Sequence, residues 1–311
     1  MRTSSLVPAL LAGIFISVAP SACRSPAESN QSRQEAQSPQ TNWAAVDQAL
    51  GRAGMTQPDG VRRYGFPRSD LKVSLDGVQI KPALALGSWL AFQPTGAKSV
   101  VMGDVVLTPD EVNPVMSALL DGGIQVTAVH NHLLRASPQV FYMHVRGQGD
   151  PAQLAATLRG ALARSHTPLT APPPPPPPAK LDLDTAALDR TIGRQGKVNG
   201  GVYQFTIPRA EKIMEEGMQE GASMGAGIGI NFQPLGGGRA ATTGDFVLVA
   251  REVDPVMRAL RSNGIEVTAL HSHMLGEQPT LYFMHFWGVG DASKLATGLR
   301  AALDKANVAR T

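Results

Sequence analysis

Apolar and polar positions follow helical and extended spacings in turn along this chain, and the order of elements that they predict occurs twice. In each half an amphipathic helical segment comes first, followed by strand-like runs rich in Val, Ile, Phe and Tyr. The helical segments cover residues 43–53 and 188–192. The predicted strands cover residues 61–66, 88–92, 100–107, 124–134 and 140–145, and in the second half 203–207, 227–232, 241–249, 265–275 and 281–286.

Two further helices are predicted in each half. The first begins at Asn113-Pro114 or Asp254-Pro255, because Asn and Asp cap helix N-termini and proline fits the first helical position. The second follows Asp150 or Asp291 and has leucines at i, i+4 and i+8 that form an apolar stripe. The order β-α-β-β-α predicts an α+β fold of two homologous sandwich domains that resembles the ferredoxin-like class.

The residues before the first repeat have the composition of an export signal followed by a tether. Arg2 precedes an apolar run at residues 6–18 that is too short to span a bilayer, and small residues lead to Cys23. We predict a signal peptide over residues 1–23, with Cys23 as the lipidation site; ordinary secretion with an incidental cysteine is the alternative. Residues 24–42, rich in Ser, Gln and Glu, are predicted to be a disordered tether.

Seven consecutive prolines at residues 172–178 separate the two halves. Such a run forms extended polyproline II, which is typical of a spacer. We therefore predict a first repeat domain over residues 43–165, a Pro-rich linker over 166–182 and a second repeat domain over 183–306. The expected location is the cell envelope or periplasm, with the membrane reached through a lipid anchor only.

The candidate chemistry lies in histidines that recur at an offset of 141 residues, and these are six of the seven histidines in the chain. Two residues two apart on a strand leave the same face, and a hairpin turning near Pro138 would place His144 directly across from His132. Three converging imidazoles are the ligand set of a catalytic zinc site, and copper or nickel fits equally. The repeated residues are His130, His132 and His144 in the first half and His271, His273 and His285 in the second.

The second half around these histidines resembles a known family. The run from Val267 to Glu277, continued by Phe283 to Asp291, is similar to the LppY/LpqO-like family, a domain of unknown function found in bacterial envelope lipoproteins, typically in two tandem copies. The resemblance implies an envelope location and a duplicated domain, but no established reaction. The first half departs from the pattern where Arg135-Ala136 replaces Gly276-Glu277.

Charged residues at matching positions are further candidates. Glu277, beyond His273, and Glu252, before the short helix, are candidate extra ligands or general bases, because a carboxylate can deprotonate water at a metal. A capping role does not account for Glu252, since Val249 stands where Thr108 stands in the first half. Arg68 and Arg209 are candidates for binding an acidic ligand, with a surface salt bridge as the alternative.

Three functions remain open from the sequence. The first is a binding module in which each domain, or a cleft between the two, holds a metal ion or a small molecule. The second is a metal-dependent hydrolase, and the third is a purely structural tandem-domain protein. A net charge of +3 without a basic stripe, together with the predicted export, argues against a nucleic-acid partner. The sequence leaves the oligomeric state open.

Overall fold

The structure, a computed structural model, describes residues 41–171 and 180–310. The predicted signal peptide, Cys23, the tether up to residue 40 and the seven prolines of the linker lie outside these residues. No helix in the described part of the chain is long and apolar enough to cross a membrane.

Both halves contain the same series of helices and strands, which confirms two repeated, sheet-rich domains of mixed α and β structure. The first repeat consists of α1 (Trp43–Leu50), β1 (Met55–Thr56), β2 (Arg62–Pro67), β3 (Ser74–Leu75), β4 (Val78–Gln79), α2 (Pro82–Ala85), β5 (Gly87–Thr95), β6 (Lys98–Leu107), α3 (Pro109–Asp121), β7 (Gln125–His130), β8 (Phe141–Gly149) and α4 (Pro151–Leu162). The second consists of α5 (Thr185–Ile192), β9 (Lys197–Asn199), β10 (Val202–Pro208), β11 (Ile213–Glu215), β12 (Met218–Glu220), a 3₁₀ turn (Ala222–Met224), β13 (Gly227–Gly236), β14 (Arg239–Leu248), α6 (Ala250–Ser262), β15 (Glu266–His271), β16 (Tyr282–Asp291) and α7 (Ala292–Leu303).

Each repeat forms one six-stranded antiparallel sheet. The strand order is β1-β2-β5-β6-β8-β7 in the first repeat and β15-β16-β14-β13-β10-β9 in the second. Strands β6 and β7 run in the same direction, since each is antiparallel to β8, which lies between them. The helix α3 connects them across β8, and α6 connects β14 and β15 in the same way.

The longer helices of each repeat cover one face of its sheet. Because side chains alternate across a strand, Val101 and Val105 of β6 pack with Leu154 of α4 on the helical face. The residues at the alternate positions point away from the helices, and among them Val100 and Met102 join the hydrophobic cluster of the second repeat. The two faces turned away from the longer helices therefore meet each other, and the molecule is layered as helices, sheet, sheet, helices.

Polar side chains join the two repeats on both sides of this interface. The hairpin β11-β12 reaches the first repeat, where the buried Arg146 lies 2.6 Å from Glu215 and 3.0 Å from Glu220. The hairpin β3-β4 reaches the second repeat in return, and Trp287 Nε1 donates to Asp76 at 3.1 Å. Breaking a buried ion pair on one side costs about 3–5 kcal/mol, so such contacts hold the repeats in a fixed arrangement.

The short helix of each repeat begins earlier than the sequence predicted. The helix α3 starts at Pro109 and α6 at Ala250, so that Pro114 and Pro255 lie inside the helices rather than at their first position. Each proline removes one backbone hydrogen bond and crowds the carbonyl four residues earlier, a cost that a helix fixed by tertiary packing tolerates. In α3 the proline at the first helical position is Pro109, whereas α6 begins at Ala250 without one.

The glutamates in the first turn explain the earlier start. Glu111 accepts a hydrogen bond from Thr108 N at 2.9 Å, and Glu252 accepts one from Val249 N at 3.0 Å. This half of a capping box needs only the backbone N–H of the N-cap residue, so valine serves as well as threonine. The expectation that capping does not account for Glu252 is therefore wrong.

Candidate metal centre

The two histidine sets meet in one cluster between the sheets. His130 stacks on His271 with ring centroids 3.5 Å apart. His132 stacks on His285 at 3.7 Å, and His144 stacks on His273 at 3.5 Å. In the repeat His132 corresponds to His273 and His144 to His285, so the last two pairs are equivalent contacts of an isologous, pseudo-twofold interface. The duplicated motif thus builds one joint site.

The strands place two histidines of each set and a loop places the third. His144 lies on β8 opposite Ala128, after an irregularity in the register of β7, and His130 ends β7 opposite Tyr142. His132 follows the end of β7 and stacks on Tyr142 at 3.3 Å. The prediction that His144 lies directly across from His132 is therefore wrong, because β7 ends before His132 and its register shifts.

The second repeat uses the same arrangement. His285 on β16 lies opposite Ala269, and His273 follows the end of β15. His273 stacks on Phe283 at 3.4 Å, in the position of Tyr142 in the first repeat. In the first set, the ring centroid of His144 lies 5.0 Å from that of His130, the first histidine of the set.

The hydrogen bonds of the rings leave one nitrogen of each histidine free. His285 Nδ1 lies 3.0 Å from Gly244 O, His271 Nδ1 lies 3.2 Å from Ser272 O, and His130 Nδ1 lies 3.4 Å from Asn131 O. A ring that donates its Nδ1–H to a carbonyl presents a lone pair on Nε2. All six Nε2 atoms of the cluster are buried and have no hydrogen-bond partner among the described residues.

Burial keeps these imidazoles neutral. Desolvation, with the repulsion of His271, lowers the pKa of His130 to about 3, and desolvation lowers the pKa of His271 to about 4. The pKa values of the four other rings fall well below the ordinary value for the same first reason, increased by repulsion among the rings. Neutral imidazole is the form that binds a metal ion, so the cluster is in its ligating state at neutral pH.

Three overlapping groups have ligand atoms within 4.8 Å of one another. The groups share members, which is expected where six rings converge. They are His130, His132, His271 and His285; His130, His144 and His273; and Asp104, His132 and His144. Three or four nitrogens at this spacing suit a tetrahedral zinc ion, which takes His nitrogens at about 2.0–2.1 Å.

Asp104 also belongs to this site. It lies in the middle of β6 opposite His144, and its Oδ2 is 3.9 Å from His132 Nε2. Its Oδ1 is buried without a hydrogen-bond partner in the described residues, and burial followed by repulsion from Asp245 raises its pKa well above the ordinary value. An aspartate within an apolar strand pattern, recurring as Asp245, was the signal that could have identified it.

Asp245 occupies the equivalent place but is held differently. It lies on β14 opposite His285. Its Oδ1 accepts a hydrogen bond from Gly229 N at 3.2 Å, and burial raises its pKa to about 7. The carboxylate of Asp245 is therefore anchored within its own repeat, whereas that of Asp104 keeps an unpaired oxygen beside the histidines.

The glutamates singled out by sequence lie elsewhere. Glu252 Oε2 is 2.8 Å from Arg209 Nη1 and belongs to the start of α6. Glu277 is buried, and its Oε1 accepts a hydrogen bond from Leu281 N at 2.7 Å. It adjoins Glu215, which pairs with Arg146 and whose pKa is raised chiefly by burial. Neither glutamate belongs to a group of converging ligand atoms in the described residues.

The two candidate arginines bind acids of the chain itself. Arg68 is fully buried and lies 2.7 Å from Glu111 and 2.8 Å from Asp70. Arg209 repeats this arrangement with Glu252 and Glu211, both at 2.8 Å. These are buried ion pairs rather than the surface salt bridges considered from sequence, and the structure does not bring either arginine to the histidines.

The cluster opens at the edge formed by β7 and β15. His130, His132 and His271 keep partial exposure, whereas the other three histidines are buried. Exposed apolar side chains from equivalent positions of both repeats stand beside them in sequence. These are Val129, Leu134, Leu270 and Leu275. An ion or small molecule would thus approach the site past an apolar rim.

Comparisons with known proteins identify the repeats. The family model described as Domain of Unknown Function (DUF1259) matches residues 44–164 and 186–305. No curated protein matches the chain.

Two solved structures are distant likenesses. The trimeric bacterial microcompartment shell protein PduB is 15% identical, and the alignment covers 81% of this chain and 89% of that chain with a TM-score of 0.22. EtuB from Clostridium kluyveri is 9% identical, with 81% and 88% covered and a TM-score of 0.18. Scores of this size do not establish a common fold.

Proposed function

The chain belongs to the family described as Domain of Unknown Function (DUF1259), and we propose that it is a binding module for transition-metal ions at the joint histidine cluster. The observation that carries this proposal is the set of six buried Nε2 atoms without hydrogen-bond partners in the described residues. Burying an unpaired polar group costs roughly 1–3 kcal/mol each, and a native fold keeps such a set where a ligand compensates it.

The donor set favours zinc, copper or nickel. Imidazole suits all three, and the carboxylate of Asp104 is a compatible additional ligand. The pseudo-twofold pairing allows about two ions, each between one cross-repeat pair and one of the two central histidines. One ion would then lie near His132 and His285 and the other near His144 and His273.

A metal-dependent hydrolase is the second candidate, and Asp104 favours it. A bound ion would supply Lewis acidity at the cluster. Asp104 Oδ2, 3.9 Å from His132 Nε2, is the carboxylate positioned to accept a proton there, a role that sequence analysis gave to Glu277 or Glu252. The binding function remains ahead, because it requires only the histidines.

We also propose the finer features expected from sequence. The split β-α-β arrangement of β6, α3 and β7 around β8 supports the ferredoxin-like resemblance of each repeat. The sequence of residues 1–23, which ends at Cys23, supports export with a lipid anchor in the envelope. The similarity to the LppY/LpqO-like family agrees with both the tandem repeat and this location.

Metal content tests the proposed function. Protein produced from Ser25 onwards, without a His tag or chelator, is measured by elemental mass spectrometry beside His130→Ala/His271→Ala. We expect about one or two equivalents in the wild-type protein and a loss of metal in the variant with retained circular dichroism. His166→Ala, which removes the histidine outside the cluster, is the matched control. Absence of metal after incubation with zinc, copper or nickel would overturn the proposal, and unfolding of the variant without metal loss would support a purely structural role.

A further inference from the structure

Arg63 is a cation on the face of the first repeat's sheet that carries the metal centre. The strand register places Gly65, Trp89, Asp104 and His144 in one row across β2, β5, β6 and β8. Arg63 precedes Gly65 by two residues on β2 and therefore points to the same side. Its guanidinium carbon lies 4.2 Å above the centroid of the Trp89 ring, which holds the charge in place as a cation–π pair.

The guanidinium of Arg63 has no hydrogen-bond or ion-pair partner among residues 41–171 and 180–310. Its neighbours in the fold, Arg62 and Arg68, are both bound to carboxylates. Burial lowers the pKa of Arg63 to about 10, opposed by the charges of Asp59, Asp104 and Asp245. The group remains charged at neutral pH, and its donors are open to a ligand, since none of its nitrogens is among the buried atoms without a partner in the described residues.

The second repeat lacks this feature. Gln204 stands in the place of Arg63 and donates to Ala83 O at 2.7 Å, and Gly229 stands in the place of Trp89. A Cβ at Gly229 would lie 2.7 Å from Asp245 Oδ1, so the second repeat uses this space for its own carboxylate. Duplication copies residues regardless of their role, whereas a difference at the functional face indicates that the two repeats have different roles at the site.

The charges favour an anion on the first repeat's side. A divalent ion bound with Asp104 as a ligand would engage that carboxylate and make the local charge more positive. Arg63 then presents a planar fork of donors, which matches the two oxygens of a carboxylate or phosphate group. Trp89 supplies a flat apolar platform that also contacts the second repeat, since a Cβ on Gly225 would meet its ring at 3.1 Å.

We propose that Arg63, held on Trp89, anchors the oxyanion group of a small-molecule ligand, a carboxylate or a phosphate, between the sheets beside the metal centre. This inference rests on the proposed metal binding and adds the chemical class of the ligand. It also assigns the first repeat, which lacks the equivalent of Glu277, to ligand recognition rather than to a degenerate copy.

Anion binding by the zinc-loaded full chain tests the inference. Oxalate and inorganic phosphate are titrated separately by isothermal calorimetry, so that the two sources of the oxyanion are distinguished. Arg63→Gln gives the first repeat the residue of the second, and we expect it to weaken binding of the preferred anion at least about tenfold. Arg63→Lys keeps the charge without the planar fork of donors. We expect its affinity for the anion to lie between those of the wild-type protein and Arg63→Gln. Arg258→Gln, a change of the same charge at an exposed position, is the control.

Zinc content measured on the same samples separates the two proposals. Unchanged zinc with weakened anion binding in Arg63→Gln supports the inference. Unchanged zinc with equal anion binding in the variant, or no anion binding by the zinc-loaded wild type at millimolar concentration, overturns it and leaves the metal site standing. Absence of zinc uptake by the wild-type protein would overturn the proposed metal function and this inference with it.

Discussion

The pairing of histidines across the repeats makes a prediction that separates one joint site from two separate ones. His132 lies 3.7 Å from His285 by ring centroids, and His144 lies 3.5 Å from His273. In a joint site the double variant His132→Ala/His285→Ala removes two ligands of the same ion. The double variant His132→Ala/His144→Ala removes one ligand from each ion, although both residues come from the same repeat.

The expected magnitude follows from the ligand count. Changes to groups that merely support a ligand weaken metal binding about 10–100-fold, so loss of a ligand itself is expected to cost more than about 100-fold, or roughly 2.7 kcal/mol. His132→Ala/His285→Ala should therefore lose one ion and keep the other near its wild-type affinity. His132→Ala/His144→Ala should weaken both. Effects within a pair should be strongly non-additive.

Competition with a chromogenic zinc chelator measures both affinities, with His166→Ala as the control because its ring contacts Glu111 at 2.9 Å outside the cluster. The reverse pattern, in which His132→Ala/His144→Ala abolishes the binding of one ion and leaves that of the second intact, would refute a joint site. That result would mean that each repeat binds its own ion and that the stacked pairs carry no shared ligand.

Three further predictions use other parts of the interface. Asp104→Asn should weaken zinc binding about tenfold in the same competition assay, and Asp245→Asn less, because its carboxylate is held by a backbone N–H; equal effects would contradict the asymmetry. Arg146→Ala should lower the free energy of unfolding in urea by about 3–5 kcal/mol at neutral pH. Burial raises the pKa values of its two glutamate partners, so they bind protons more tightly when folded, and the loss should shrink as the pH falls toward 5. Gly244→Ala should cost at least about 2 kcal/mol, since its Cβ would collide with the opposite backbone, whereas Gly290→Ala meets nothing and should be neutral.

Local patterns predicted most of the secondary structure. The leucine stripe after Asp150 became α4, and the alternating runs became strands, because periodicity reflects which side chains face a core. The predicted first residues of the short helices were wrong. Asn113-Pro114 and Thr108 are both possible N-terminal caps, and the hydrogen bond from Thr108 N to Glu111 selects the cap at Thr108. The predicted end of β7 was also wrong, because a register shift arises from the pairing with β8 and leaves no local signal in the sequence.

The sequence by itself determined the repeat, the mixed α and β content and the six histidines, because duplication and alternation are written in residue order. Only the tertiary structure decided that both sets form one site. The two sheet faces turned away from the longer helices bury each other. This brings residues 141 positions apart, such as His130 and His271, into contact. The same packing places Asp104 beside the histidines and pairs Glu252 with Arg209. Residue type determines which interactions are possible, and three-dimensional proximity selects among them.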